Sequence, residues 1–66
     1  MGNKGKFFGM TTNERLFVAG IIEDFDKAAM SRDRNRMIEL LGKVELADEA
    51  ESITNTILAE PKRYGY

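Results

Sequence analysis

Sixty-six residues, with ten lysines and arginines against eleven aspartates and glutamates, carry a formal charge of −1 and contain neither cysteine nor histidine. That leaves room for one small domain and excludes disulfides, thiolate chemistry and imidazole-based proton transfer. The near-zero charge provides no global field towards nucleic acid or anionic membrane. A chain of this size buries only about 60% of its unfolded surface, and with the usual staples missing, oligomerisation or docking on a partner is the stabiliser that remains.

Residues 1–10 are rich in Gly and Lys and carry Phe7 and Phe8 side by side. They read as a flexible arm, or as upstream sequence with Met10 as the natural start; a third reading folds Phe7 and Phe8 back onto the core or a partner. Gly2 follows Met1, but Lys6 stands where a myristoylation signal wants Ser or Thr. No apolar run approaches the ~20 residues of a membrane span, and no cleavable leader is visible, so the expectation is a cytoplasmic protein with no membrane association.

Thr11 and Glu14 have the spacing of a capping box. The apolar residues Val18, Ile21, Ile22, Phe25, Ala28 and Ala29 then recur at helical spacing, which predicts one helix from Thr12 to Met30. Leu16 points away from that stripe, either idly exposed or part of a second contact. Ser31 or Asp33 is suited to cap a second helix bearing Met37, Leu40, Leu41 and Val44, with Gly42 placed to end it. Asp48 offers a third start, and the third helix presents Leu46, Ala50, Ile53, Ile57 and Leu58 until Pro61 stops it.

The predicted fold is all-α: a compact three-helix bundle over residues 11–60, with a flexible arm over 1–10 and an aromatic tail over 61–66. The predicted core is Phe17, Val18, Ile21, Ile22, Phe25, Ala28, Met37, Ile38, Leu40, Leu41, Val44, Leu46, Ile53, Ile57 and Leu58.

Asn13-Glu14-Arg15-Leu16-Phe17-Val18-Ala19-Gly20, Val44-Glu45-Leu46 and Ile57-Leu58-Ala59-Glu60-Pro61-Lys62-Arg63-Tyr64-Gly65-Tyr66 resemble a family of short, uncharacterised proteobacterial proteins. The resemblance covers residues 12–66. It implies a small cytoplasmic protein and brings no ligand or catalytic residue.

Catalytic chemistry is poorly served. Of the candidate acids Glu23, Asp24, Asp26, Glu39 and Glu45, Asp24 and Asp26 lie about 200° apart around a helix, and Glu23 with Asp26 reads as a solvated face. Asp24-Phe25-Asp26 begins like a calcium loop, but Ala29 and Asn35 occupy the positions that need glycine and glutamate. No enzyme activity, small-molecule substrate, cofactor or metal is expected.

Lys27, Arg32, Arg34 and Arg36 cluster at the first predicted turn and, with Tyr64 and Tyr66, make a nucleic-acid-binding regulator the alternative function. A helix-turn-helix fails because the would-be recognition helix opens Asp48-Glu49-Ala50-Glu51, which repels phosphate. The preferred expectation is association with a protein partner or with itself as a homodimer. Residues 45–60 carry five acids and no base, and such segregated charge either pairs between copies or is neutralised within the bundle. The expected partner surface is Leu16, Gly20 and Met30 along the back of helix 1, with Arg34, Arg36, Tyr64 and Tyr66 nearby. Gly20 there either lets another backbone approach or is a tolerated weak spot costing about 1 kcal/mol.

Overall fold

The computed structural model describes residues 7–66, so residues 1–6 of the arm expected over 1–10 lie outside the described residues. All regular structure among the described residues is helical. The order is α1 (Thr12–Val18), α2 (Ile22–Met30), α3 (Arg34–Gly42), a 3-10 turn (Ala47–Glu49), α4 (Ala50–Ala59) and a closing 3-10 turn (Pro61–Tyr64). The all-α class is therefore observed, but with four α-helices where the periodicity predicted three.

The difference arises at Gly20. α1 opens with the predicted capping box: the Glu14 N–H donates to Thr11 Oγ1 at 3.2 Å and the Thr11 N–H to Glu14 Oε1 at 2.8 Å. It ends after two turns because Gly20 takes φ +77°. The Ile21 N–H then returns to the Leu16 carbonyl and the Gly20 N–H to that of Phe17, both at 3.0 Å, closing the helix with paired 6→1 and 5→2 hydrogen bonds.

The break rotates α1 relative to α2. Thr12, Arg15, Leu16 and Ala19 form the inward face of α1, and Leu16 is fully buried. Phe17 and Val18, expected in the core, are instead 72% and 48% exposed.

The same closure recurs without glycine. Arg32 (φ 58°) ends α2, with the Asp33 N–H donating to the Ala28 carbonyl at 2.8 Å. Glu45 (φ 67°) ends the turn after α3, with the Leu46 N–H donating to the Leu41 carbonyl at 3.0 Å. Glu45, not Gly42, thus occupies the left-handed stop. Asp33 then caps α3, its carboxylate accepting the Arg36 N–H at 3.2 Å. Asp48 caps nothing: it lies inside the 3-10 turn that leads into α4, and no side chain caps that helix.

α3 is the central element, packed between α2 and α4, while α1 leans on α2 and the closing turn on α4. Met37, Leu40, Leu41 and Val44 are fully buried and meet Phe25, Ala28 and Ala29 of α2 and Ala50 and Ile57 of α4. Phe7 joins this cluster at 5% exposure, so ordered packing begins before Thr11. Ile21, Ile22, Ile38, Leu46, Ile53 and Leu58 pack half-buried around it.

One half-buried and one fully buried polar residue stand out. The Arg15 guanidinium donates to the Met10 carbonyl at 3.2 Å and to the Val44 carbonyl at 3.0 Å. It thereby ties α1 to the end of the α3 segment, where a cation meets favourable dipole charge. Thr54 is fully buried with its hydroxyl unpartnered.

These costs are measurable by thermal and denaturant unfolding. Gly20→Ala lowers stability by about 1 kcal/mol, because a side chain at a left-handed φ is strained. Glu45→Gly raises it by about 0.5–1 kcal/mol for the converse reason. In a chain of this length 1 kcal/mol shifts Tm by about 4–8 °C. Thr54→Val, which keeps the shape and removes the unpaired hydroxyl, raises stability by about 1 kcal/mol.

Candidate functional site

Three segments far apart in sequence enclose the main cleft, about 580 Å³ in volume: Thr11–Asn13 at the start of α1, Ser52–Ile57 on α4, and Arg63–Tyr66 in the tail. Its floor is apolar, made by Phe25, Ile53 and Ile57, and hydroxyls of Thr11, Thr12, Ser52 and Thr56 line its rim. The tail can form this wall because Pro61 stops α4 and starts a 3-10 turn. Gly65 (φ 90°) then closes that turn, with the Tyr66 N–H donating to the Pro61 carbonyl at 2.9 Å.

Tyr66 is pinned from the other side as well. Its hydroxyl donates to Asp26 Oδ1 at 2.6 Å, joining the chain end to α2 across forty residues of sequence. Burial first, then the hydrogen bond to the Asp26 carboxylate and its negative charge, holds the Tyr66 phenol well above the usual tyrosine range. Tyr64 is 45% exposed and offers its ring to the cleft.

The expected partner surface is only partly assembled. Leu16 is fully buried, so it cannot meet a partner; the break at Gly20 turned it inward. Gly20 is exposed with nothing within 4 Å of where a Cβ would stand, and its left-handed φ accounts for the glycine without any approaching backbone. Met30 is 60% exposed at the far end of α2, no longer on one helix with Leu16. Tyr64 and Tyr66 do share the cleft.

The Arg-rich turn is divided. Arg34 Nε donates to Asn55 Oδ1 at 3.0 Å, linking α3 to α4. Arg36 pairs with Glu39 at 3.0 Å, and with Lys27 it borders a small depression that also holds Asp24 and Asp33. Arg32 alone joins the tail, where Lys62 and Arg63 share with it a depression of about 450 Å³. That depression and the cleft have Arg63 and Tyr66 in common.

Sequence reasoning missed the cleft itself. Ser52, Ile53, Thr56 and Ile57 read as a helix surface and half a core stripe, and only the docked tail turns them into a concavity.

Comparison with protein-family models, curated proteins and solved structures gives no match to this chain. Among the described residues no helix is long and apolar enough to cross a membrane. The cleft combines an apolar floor, a hydroxyl rim, one guanidinium and the rings of Tyr64 and Tyr66.

Tyr66→Phe measures the latch that shapes it. A hydrogen bond to a charged group is worth about 1.5–3 kcal/mol, and partial exposure reduces this to about 1 kcal/mol of stability at neutral pH. The phenol is held protonated in the folded chain, so this contribution is complete below about pH 10 and is lost as pH rises beyond it. Denaturant unfolding of the two proteins across pH 7 to 11 therefore shows a gap that narrows above pH 10.

Proposed function

We propose that the chain is a non-catalytic association module, engaging a protein partner or a second copy of itself through the cleft between α4, the start of α1 and the tail. The observation that carries the reading is the make-up of that cleft, whose apolar floor and half-exposed Tyr64 form a socket for an apolar side chain. Aromatic anchors seated in desolvated pockets, surrounded by a polar rim, are the usual energetic centres of interfaces. The Asn13 rim residue also lies one helical turn before Phe17, the most exposed of the large apolar side chains.

The ionisable groups lining the cleft are Arg63, Tyr64 and Tyr66. A guanidinium stays charged, and the Tyr66 phenol is held in its protonated form, so neither Arg63 nor Tyr66 supplies a general base near neutral pH. No cofactor or small-molecule substrate belongs to the reading. A cytoplasmic setting and kinship with the short proteobacterial proteins are part of the same proposal and rest on the sequence patterns alone.

The nucleic-acid alternative is disfavoured. Its four cations do not share one face: Arg34 and Arg36 are engaged by Asn55 and Glu39, and the Lys27 depression contains two carboxylates.

Site-specific photo-crosslinking in cells tests the proposal. A photoreactive aromatic in place of Tyr64 yields discrete protein adducts, whereas the same group in place of the exposed Lys43 after α3 does not. Equal labelling at the two positions, or none at either, would overturn the association reading.

A further inference from the structure

The geometry points to a second copy of this chain as the occupant of the cleft face, with two α4 helices packed antiparallel about a two-fold axis. The inference rests on the association reading and adds the partner. Its first support is the distribution of charge along α4. Asp48, Glu49 and Glu51 stand exposed at its start, and Lys62 and Arg63 stand exposed just beyond its end, beside Arg32 and with Glu60 as the one carboxylate side chain among these three cations.

Among the described residues only two ion pairs form, Arg36 with Glu39 and Arg63 with Glu60. The three acids at the start of α4 and the cations Lys62 and Arg32 are in neither. The Arg63–Glu60 contact is a surface i,i+3 pair with both side chains mostly exposed, which holds its partners weakly.

Distance keeps the two ends from neutralising each other. Ten helical residues span about 15 Å at 1.5 Å per residue. The Debye length at physiological salt is about 8 Å, so acids and bases at opposite ends of one copy are screened from one another. Both placements suit the helix dipole, acids at its positive end and bases beyond its negative end, so the folded chain retains the two-ended charge.

A two-fold axis converts that charge into attraction. Asp48 and Glu49 stand exposed in the 3-10 turn that leads into α4, just ahead of Ser52 and Ile53, which line the cleft, and Arg63 lines the same cleft beyond the other end of the helix. An antiparallel copy laid on this face brings its Lys62 and Arg63 against Asp48 and Glu49, and the same contact repeats on the other side. An isologous interface requires such self-complementarity. Between the two charged ends lie the half-buried Ile53 and the half-exposed Tyr64 ring, with the hydroxyls of Ser52 and Thr56 beside them, and the second copy covers this centre inside a charged margin.

Charge reversal with rescue tests the arrangement by sedimentation at about 0.05 M and about 0.5 M salt, with folding checked by circular dichroism. The wild-type chain sediments as a dimer that weakens at the higher salt. Lys62→Glu with Arg63→Glu, on exposed residues outside the α-helices, weakens it by about tenfold or more. Asp48→Lys with Glu49→Lys does the same, and an equimolar mixture of the two variants restores a dimer containing one of each. Should the acidic-end variant lose its fold, Asp48→Asn with Glu49→Gln replaces it and gives a smaller weakening.

A wild-type chain that stays monomeric at about 1 mM, reversals that leave the dimer intact, or a mixture that fails to reassociate would each overturn the inference. So would salt-sensitive binding of a single-stranded oligonucleotide by a monomeric protein. Adducts from position 64 with a mass other than two copies, together with a monomer in sedimentation, would overturn this inference and leave the association reading standing.

Discussion

A single left-handed residue decides how the first half of this chain folds. Without the positive φ at Gly20, the apolar spacing from Val18 to Ala29 describes one helix with one continuous face. With it, the first helix ends after seven residues, Ile21 returns its N–H to Leu16, and α1 presents a different face from the one the pattern implies. None of the four α-helices exceeds ten residues, below the ~12–15 at which even good helix formers become marginal in isolation. Each is therefore helical because its neighbours are, and the turns that set their mutual angles carry the architecture. The same closure at Arg32, Glu45 and Gly65 makes the fold a series of short helices ended by one repeated device.

What could be read from sequence was what is local. The Thr11–Glu14 box, the Asp33 cap and the Pro61 stop each depend on residues within a turn of one another, and each is found where the spacing put it. The buried stripes of α2 and α3 were equally legible because they lie wholly inside single helices. The α1–α2 break was not, since apolar hits on both sides of Gly20 happened to keep helical phase. A glycine flanked by the apolar pair Leu16 and Ile21 was the available signal, as that pair frequently accompanies a left-handed stop. Arg32 and Glu45 gave no such signal, because neither residue type favours a positive φ. Thr54 and Arg15 were hidden for another reason: an apolar pattern does not count a buried hydroxyl, or a guanidinium spanning two carbonyls.

The candidate site shows the same division more sharply. Lys27, Arg32, Arg34 and Arg36 are dense in sequence, yet the left-handed turn at Arg32 and the new helix divide them: Lys27 and Arg36 border one depression, Arg32 another, and Arg34 bonds to α4. Tyr64 and Tyr66, with no local pattern to recommend them beyond being aromatic, acquire a setting from Asp26, forty residues away, and from α4 beneath them. A concavity built from three distant segments has no periodicity of its own. Its legibility depends on knowing that the tail docks, which is a tertiary fact.

The small core and the outward-facing chemistry are connected. A 66-residue chain has little stability in reserve, and this one accepts two side-chain-bearing residues at left-handed φ and a fully buried hydroxyl with no partner. It also leaves Phe17 and Met30 mostly, and Val18 half, in water, although the core residues of α3 are fully buried. Covering the α4 face would remove further apolar surface and place exposed acids beside exposed bases. Anything that binds only the folded state adds its binding free energy to stability. Under the proposed association, folding and assembly are coupled quantities, and the tail latch of Tyr66 on Asp26 serves both. It holds the last residues onto α2, and in doing so it shapes the wall against which a second surface would rest.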